Sequence, residues 1–431
     1  MAVPGAGLEP ARPFGQRLLR PPRLPFRHPG RGPSLALGRW DDHERAVAGV
    51  RLEGIELVRV DLALRRPVAT SVGTHRERPV VYARVVTDRA EGWGECGALP
   101  GGTAVDPPLA AVWQALVGDG VLRLQRAATA RGGELPAASG IAQLFNADPV
   151  GRLTAATLEM AVLDAELREA GISLAGRLGA RRPEVVVGAV VGIPAGHQLG
   201  PLLDEVDAAV GAGAARVRVK IEPGWDFWPV CSVRERHPDL LLQADANGAY
   251  RLTSAGEDDA RRLAALDPFG LACVEQPLPA GDLPALAELA RLLLTPVALD
   301  ESLTSLRRLN DALRDGACEV ACLKPARLGG VFAARRAQEA CAEAGVPAFV
   351  GGLFESGLGR SANAALATLP GFTLPGDLSA PSGYLVEDPC GYGTVHAGRL
   401  ALADTPGVGP LAAAAALDRL AGERAWFPYP A

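Results

Sequence analysis

Lysine is almost missing from this chain. Of the 44 lysine and arginine side chains in 431 residues, only Lys220 and Lys324 are lysine. Arginine supplies charge but stays protonated in proteins, whereas burial and neighbouring charges can turn a lysine amine into a working base. The scarcity thus rules out lysine as general surface charge and points to proton transfer at the two positions that keep it. No apolar run approaches the roughly 18 residues that a membrane-crossing helix needs, so no membrane span is expected. The seven cysteines, at 96, 231, 273, 318, 322, 341 and 390, form no CxxC pair. That pattern excludes a zinc ribbon or disulfide frame and suggests reduced thiols in a cytoplasmic protein. Beyond the first 40 residues the positive charge is not gathered in a block, and the net charge is -5, which argues against a nucleic-acid surface. No Gly-x-Gly-x-x-Gly follows a strand-like run, which disfavours a dinucleotide fold.

What is present divides the chain into four segments. Residues 1–48 form an Arg/Pro-rich stretch whose first 40 residues hold seven arginines, eight prolines and one acidic residue. Prolines at that density forbid a stable helix, so a disordered extension is expected. Residues 49–183 read as an α+β module. Alternating apolar runs at 55–64, 80–86 and 92–96 suggest a three-stranded antiparallel meander, and helical periodicity follows at about 106–119, 121–131 and 154–170. Residues 184–391 carry short apolar runs that end in polar or glycine residues, each followed by a helical segment. The first run is Val185–Val191, and the successive runs end at 220, 245, 275, 300, 324 and 351, a spacing that fits one strand, one helix and two loops. An eighth, weaker run ends near Asp377. Seven or eight such units favour a closed parallel barrel over an open sheet. Residues 392–431 end in an Ala-rich stretch, Leu411 to Arg424, expected to be helical and to return to the first module.

Catalytic groups in such a barrel sit at the C-terminal ends of the strands, and both lysines end strand-like runs. Between them, on consecutive strands, stand Asp245, Glu275 and Asp300. Three buried carboxylates facing one mouth would repel one another and be costly to desolvate. A divalent cation resolves this, and hard oxygen ligands suit Mg2+, with Mn2+ as a substitute, better than zinc. None of the six histidines falls on this array. The chemistry that fits is removal of a proton next to a carboxylate of a small-molecule substrate, with the ion stabilising the developing charge. Lys220 on strand two and Lys324 on strand six would face the substrate from opposite sides, each with a depressed pKa. Arg218, on the same side of its strand as Lys220, is expected to be the neighbouring cation that depresses it. Asn247, Gln276, Ser71, Gly351, Gly352 and Glu355 are candidate supporting or substrate-facing residues. Arg327 and Glu355 read equally well as loop salt-bridge partners, and Trp225 reads as core.

The stretches Val219–Asp226, Gln243–Asn247, Val274–Leu278, Leu299–Ser302, Leu323–Gly330, Gly351–Arg360 and Leu374–Asp377 together resemble the enolase superfamily. Within its muconate-lactonizing branch the chain is most similar to o-succinylbenzoate synthases and N-acylamino acid racemases. The resemblance implies a modified TIM barrel, (β/α)7β, with an α+β capping domain made by the two chain ends. It also implies Mg2+ on Asp245, Glu275 and Asp300, and a loop Thr70–Thr74 that closes over the substrate. The implied reaction is the dehydration that forms 2-succinylbenzoate in menaquinone biosynthesis, with racemisation of N-acylamino acids as the alternative. Two positions depart from the family pattern: Arg218 stands where a lysine is usual, and Cys322 where asparagine is frequent. An inactive barrel acting as a binding module is the alternative of another class. A homo-oligomer is expected.

Overall fold

The computed structural model describes residues 50–70, 73–180, 182–252, 257–402, 404–411 and 414–430; the Arg/Pro-rich stretch therefore lies outside the described residues. An antiparallel sheet comes first, made of β1 (Leu52–Thr70), β2 (Gly73–Thr87) and β3 (Glu91–Glu95). The β1–β2 ladder runs to the pairs Ala69↔Thr74 and Thr70↔Gly73, so the described backbone of the loop expected at Thr70–Thr74 is paired. Helix α1 (Pro149–Ala170) lies on this sheet. Its start follows from an Asp148 side chain that accepts from Gly151 N at 2.9 Å and a proline at the first helical position. Its end follows from Gly171 at φ 69°. Gly92 and Gly94 let the helix come close, because a Cβ on either would lie 2.1 Å from the carbonyl oxygen of Ala161 or Thr157.

The second body is a parallel sheet with helices around it. Its strands are preceded by β4 (Glu184–Val186) and run β5 (Gly188–Val191), β6 (Arg216–Lys220), β7 (Leu241–Asp245), β8 (Val274–Glu275), β9 (Val297–Leu299), β10 (Val320–Leu323) and β11 (Ala348–Val350). β5 to β11 pair strictly in chain order. The sheet closes through the eighth run, where Asp377 N donates to Val350 O at 2.9 Å and Gly188 N to Gly376 O at 2.8 Å. Helices α2 (Leu199–Gly211), α3 (Phe227–Arg236), α4 (Glu257–Ala264), α5 (Leu283–Leu292), α6 (Leu306–Arg314), α7 (Val331–Glu343) and α8 (Gly357–Leu366) alternate with these strands. The architecture is thus a modified α/β barrel with an antiparallel cap.

The period-2 pattern of β6 explains how the barrel is filled. Val217 and Val219 join the main hydrophobic core with Val206 and Val230, while Arg216, Arg218 and Lys220 point inward. The barrel's own interior core is small, comprising Cys273, Ala298, Val320, Cys322 and Phe349. Two expectations need correction. The run Val185–Val191, read as one strand, divides at Val187: β4 pairs antiparallel with β13 (Arg399–Ala401), itself paired with β12 (Val395–His396), and β5 alone enters the barrel. Among its described residues the stretch Leu411–Arg424 is helical over Ala414–Leu420, and β14 (Ala421–Pro428) then pairs antiparallel with β1. Edge pairing with β1 outweighs the helix propensity of its alanines.

Candidate active site

Five chain segments end at one mouth. Lys220, Asp245 and Glu275 are the last residues of β6, β7 and β8, and the register pairs Lys220 with Asp245 and Asp245 with Glu275. Asp300 and Lys324 directly follow β9 and β10. The three carboxylates are buried, with Glu275 0%, Asp245 1% and Asp300 2% exposed. Lysines flank the trio: Lys220 Nζ donates to Asp245 Oδ2 at 2.6 Å, and Lys324 Nζ to Asp300 Oδ2 at 2.7 Å.

Charge decides what this arrangement can hold. Burial raises Glu275, Arg218 pulls it back, and Asp245 and Asp300 raise it again, so that together they hold it at about 8. Its charge is therefore under-compensated by the protein alone. Burial and the neighbouring Asp300 and Asp245 also raise Glu301. Ligand atoms of Glu275, Asp300 and Cys322 lie within 4.8 Å of one another. Burial raises the Cys322 thiol well above its usual range, so it stays protonated and contributes no thiolate. The useful donors are hard carboxylate oxygens, a set that fits a divalent cation of the Mg2+ or Ca2+ class and not a thiophilic one. Asp245 is turned toward Lys220, and its Oδ1 accepts from Asn247 N at 3.0 Å.

Two electrostatic expectations are overturned. Burial would lower Lys324, but the surrounding groups, Asp300 foremost with Cys322 and Glu301, together outweigh it and hold the ammonium above its ordinary value. Arg218 is not a free cation beside Lys220. Its Nη1 lies 2.8 and 2.6 Å from the two Glu275 oxygens, and its Nη2 lies 2.5 Å from Asp377 Oδ2. The guanidinium is committed below the trio because two buried carboxylates there have stronger claims on it.

Supporting residues divide by what they touch. Asn247, at φ 43°, accepts from Lys220 Nζ at 2.5 Å and donates to Glu301 Oε1 at 2.9 Å. Gln276 accepts from Asp300 N at 3.2 Å and Ser302 N at 3.0 Å, fastening the turn that carries Asp300. Gly351 leaves space for Lys324: a Cβ there would lie 2.5 Å from Cys322 Sγ and 3.0 Å from Lys324 Cε. A Cβ on Gly352 would lie 2.7 Å from Arg360 Nη1. Glu355 has its partners within its own segment, pairing with Arg360 at 3.2 Å and accepting from Asn363 Nδ2 at 3.0 Å. Arg327 is a buried ion-pair partner of Asp300 at 2.5 Å and of Asp106 at 2.7 Å. Trp225 is core, 6% exposed. Ser71 lies outside the described residues. Asp106, Arg216, Gln243, Glu301 and Asp377 were not singled out from the sequence; the Arg-x-Arg-x-Lys alternation was the available signal for Arg216.

Comparison with known proteins bears on the family and the fold. The family described as "Enolase C-terminal domain-like" matches residues 202–410. An N-succinylamino acid racemase from Amycolatopsis sp. is 42% identical over 382 residues, 88% of this chain and 100% of the relative. An o-succinylbenzoate synthase from Geobacillus kaustophilus is 37% identical over 362 residues, 84% of this chain and 93% of the relative. The crystal structure of an enolase-superfamily member from Listeria innocua superposes with a TM-score of 0.82 at 28% identity, covering 88% of this chain and 100% of that chain. Among the described residues no helix is long and apolar enough to cross a membrane. With such relatives matched over nearly their whole length, the chain belongs to the enolase superfamily, in the family that contains o-succinylbenzoate synthases and N-succinylamino acid racemases.

Proposed function

We propose that this chain is a Mg2+-dependent o-succinylbenzoate synthase, converting 2-succinyl-6-hydroxy-2,4-cyclohexadiene-1-carboxylate to 2-succinylbenzoate. The observation that carries the reading is the pair of lysines flanking three buried carboxylates, each amine bonded to an outer member of the trio. Asp245, Glu275 and Asp300 would hold the ion, which when bound stabilises negative charge developing on the substrate carboxylate. Lys220 removes the α-proton. Its side chain is 28% exposed against 11% for Lys324, so it is the more accessible amine. Lys324, held charged by Asp300, supplies a fixed positive charge on the opposite face. The β-hydroxyl then leaves as water, carrying the proton that Lys220 took, and the aromatic ring is complete. Asn247 orients Lys220 through its 2.5 Å contact.

A second reading, N-succinylamino acid racemase, is favoured by the 42% identity to the Amycolatopsis protein and uses the same two amines as alternating bases. Assay of the purified protein with Mg2+ on both substrates tests the choice. Turnover of the cyclohexadiene is expected. Solvent-deuterium exchange of both enantiomers of an N-succinylamino acid, with no turnover of the cyclohexadiene, would sink the synthase reading.

A further inference from the structure

Below the carboxylate trio, Glu275 and four buried side chains that the chemistry above does not use close a ring. Arg218 Nη1 donates to both oxygens of Glu275, and Arg218 Nη2 donates to Asp377 Oδ2 at 2.5 Å. Arg216 donates to Asp377 Oδ1 through Nη2 and to Gln243 Oε1 through Nη1, and Gln243 Nε2 donates back to Glu275 Oε2. The side chains of Arg216 and Glu275 are fully buried, and those of Arg218 and Asp377 are 6% and 7% exposed. The ring rests on Phe349, whose centroid lies 4.6 Å from Arg216 Cζ and 5.9 Å from Arg218 Cζ. The space it occupies is built in: a Cβ on Gly188 would lie 2.7 Å from Arg216 Nε and Nη2. Asp377 comes from the segment that closes the barrel, held by its own N–H to Val350 O at 2.9 Å.

The ring places two guanidiniums under one end of the trio, and each has a claim on the same acceptors. Arg218 already reaches Glu275, and its Nε stands 3.7 Å from Asp245 Oδ2. Asp377 is the one ring carboxylate outside the trio, and it takes one arm of each arginine. Without it, both buried cations would turn toward Glu275 and Gln243, since an unpaired buried charge is strongly unfavourable. Glu275, which already accepts from Arg218 at both oxygens and from Gln243 at one, would then face Arg216 as a second guanidinium, and the positive potential at the trio would rise. Groups that orient a ligand in this way typically contribute about 10- to 100-fold to metal affinity.

We propose that Asp377 is a positioning residue for the divalent-ion site: by holding Arg216 and Arg218 from below, it keeps Glu275 available to the cation. This rests on the reading that Asp245, Glu275 and Asp300 bind the ion. The test is Mn2+ binding, read as free Mn2+ by electron paramagnetic resonance and repeated by calorimetry with Mg2+, on folded full-length protein without substrate. D377N is expected to weaken Mn2+ binding by about 10- to 100-fold. The double variant D377N/R216M, which removes one cation with the anion, should recover most of that loss. R216M alone should bind at least as tightly as the unaltered protein, which keeps the idea testable where D377N does not fold. Unchanged affinity in D377N, a double variant no better than D377N, or weakened binding in R216M would each overturn the proposal. An unaltered protein that binds no Mn2+ would overturn it together with the metal-site reading. A protein that binds Mn2+ but turns over neither substrate would overturn only the assigned reaction.

Discussion

Replacing Arg218 by methionine should destabilise the barrel by about 3–5 kcal/mol, the usual effect of removing one partner from a buried ion pair. The side chain is 6% exposed, lies 2.6–2.8 Å from both oxygens of a fully buried Glu275 and donates at 2.5 Å to Asp377. Methionine replaces most of the aliphatic stem, so the dominant change is electrostatic and not a cavity. Arg216 still holds Asp377, which places the expected loss toward the lower end. A control is available in Arg66, 81% exposed and 3.1 Å from Glu205; its removal should cost no more than about 1 kcal/mol. Urea unfolding followed by circular dichroism, with and without Mg2+, measures both. The loss in R218M should shrink when Mg2+ is present, because an ion that binds only the folded chain adds stability and supplies the charge that Glu275 lacks. A midpoint shift in R218M no larger than that of R66M would refute the electrostatic account of this ring.

Other perturbations probe separate parts of the argument. G351A should lower kcat by about 100-fold with the fold retained, because the new Cβ would displace Cys322 or Lys324 and a misplacement near 1 Å is enough for that loss; steady-state kinetics and a thermal melt check it. Dialysis against a chelator should abolish turnover and lower the melting temperature, with Mg2+ restoring both; unchanged activity would remove the ion from the account. Glu159 on α1 is 1% exposed, accepts from Phe332 N at 3.3 Å at the start of α7, and is pushed up to about 8 by burial. An unfolded glutamate titrates near about 4.3, so the folded chain binds the extra proton between these values. Stability from this group is full below the lower value and is lost as pH rises through about 8. E159Q should therefore flatten the decline of the urea midpoint between about pH 5 and about pH 9; an unchanged slope would count against the buried-carboxyl argument.

Much of the barrel was legible because parallel strands buried on both faces recur as short apolar runs, and because a charged residue ending such a run has only the mouth to face. Lys220, Asp245, Glu275, Asp300 and Lys324 were all found by that rule. What escaped depends on contacts across the fold. The division at Val187 has no local signal, since Val185–Val191 is one apolar run and the break comes from pairing with β13. β14 reads locally as a helical continuation, and its pairing with β1 joins Ile55 to Phe427. The fate of Arg218 could not be read from its neighbour Lys220, because its partners are Glu275 and Asp377, 57 and 159 residues away. Burial as a force on Lys324 was foreseeable, whereas the 2.7 Å contact to Asp300 that reverses its direction was not.

The central claim is that Lys220 and Lys324 act on opposite faces of one substrate. Deuterium incorporation at the α-carbon of each enantiomer of an N-succinylamino acid, followed by NMR in D2O with Mg2+ for the unaltered protein, K220R and K324R, addresses it directly. With Lys220 as the base and Lys324 as a fixed charge, the account predicts exchange from the enantiomer whose α-proton faces Lys220, its loss in K220R, and measurable exchange retained in K324R, which keeps the charge. Exchange from that enantiomer surviving in K220R, or lost in both variants, would contradict it.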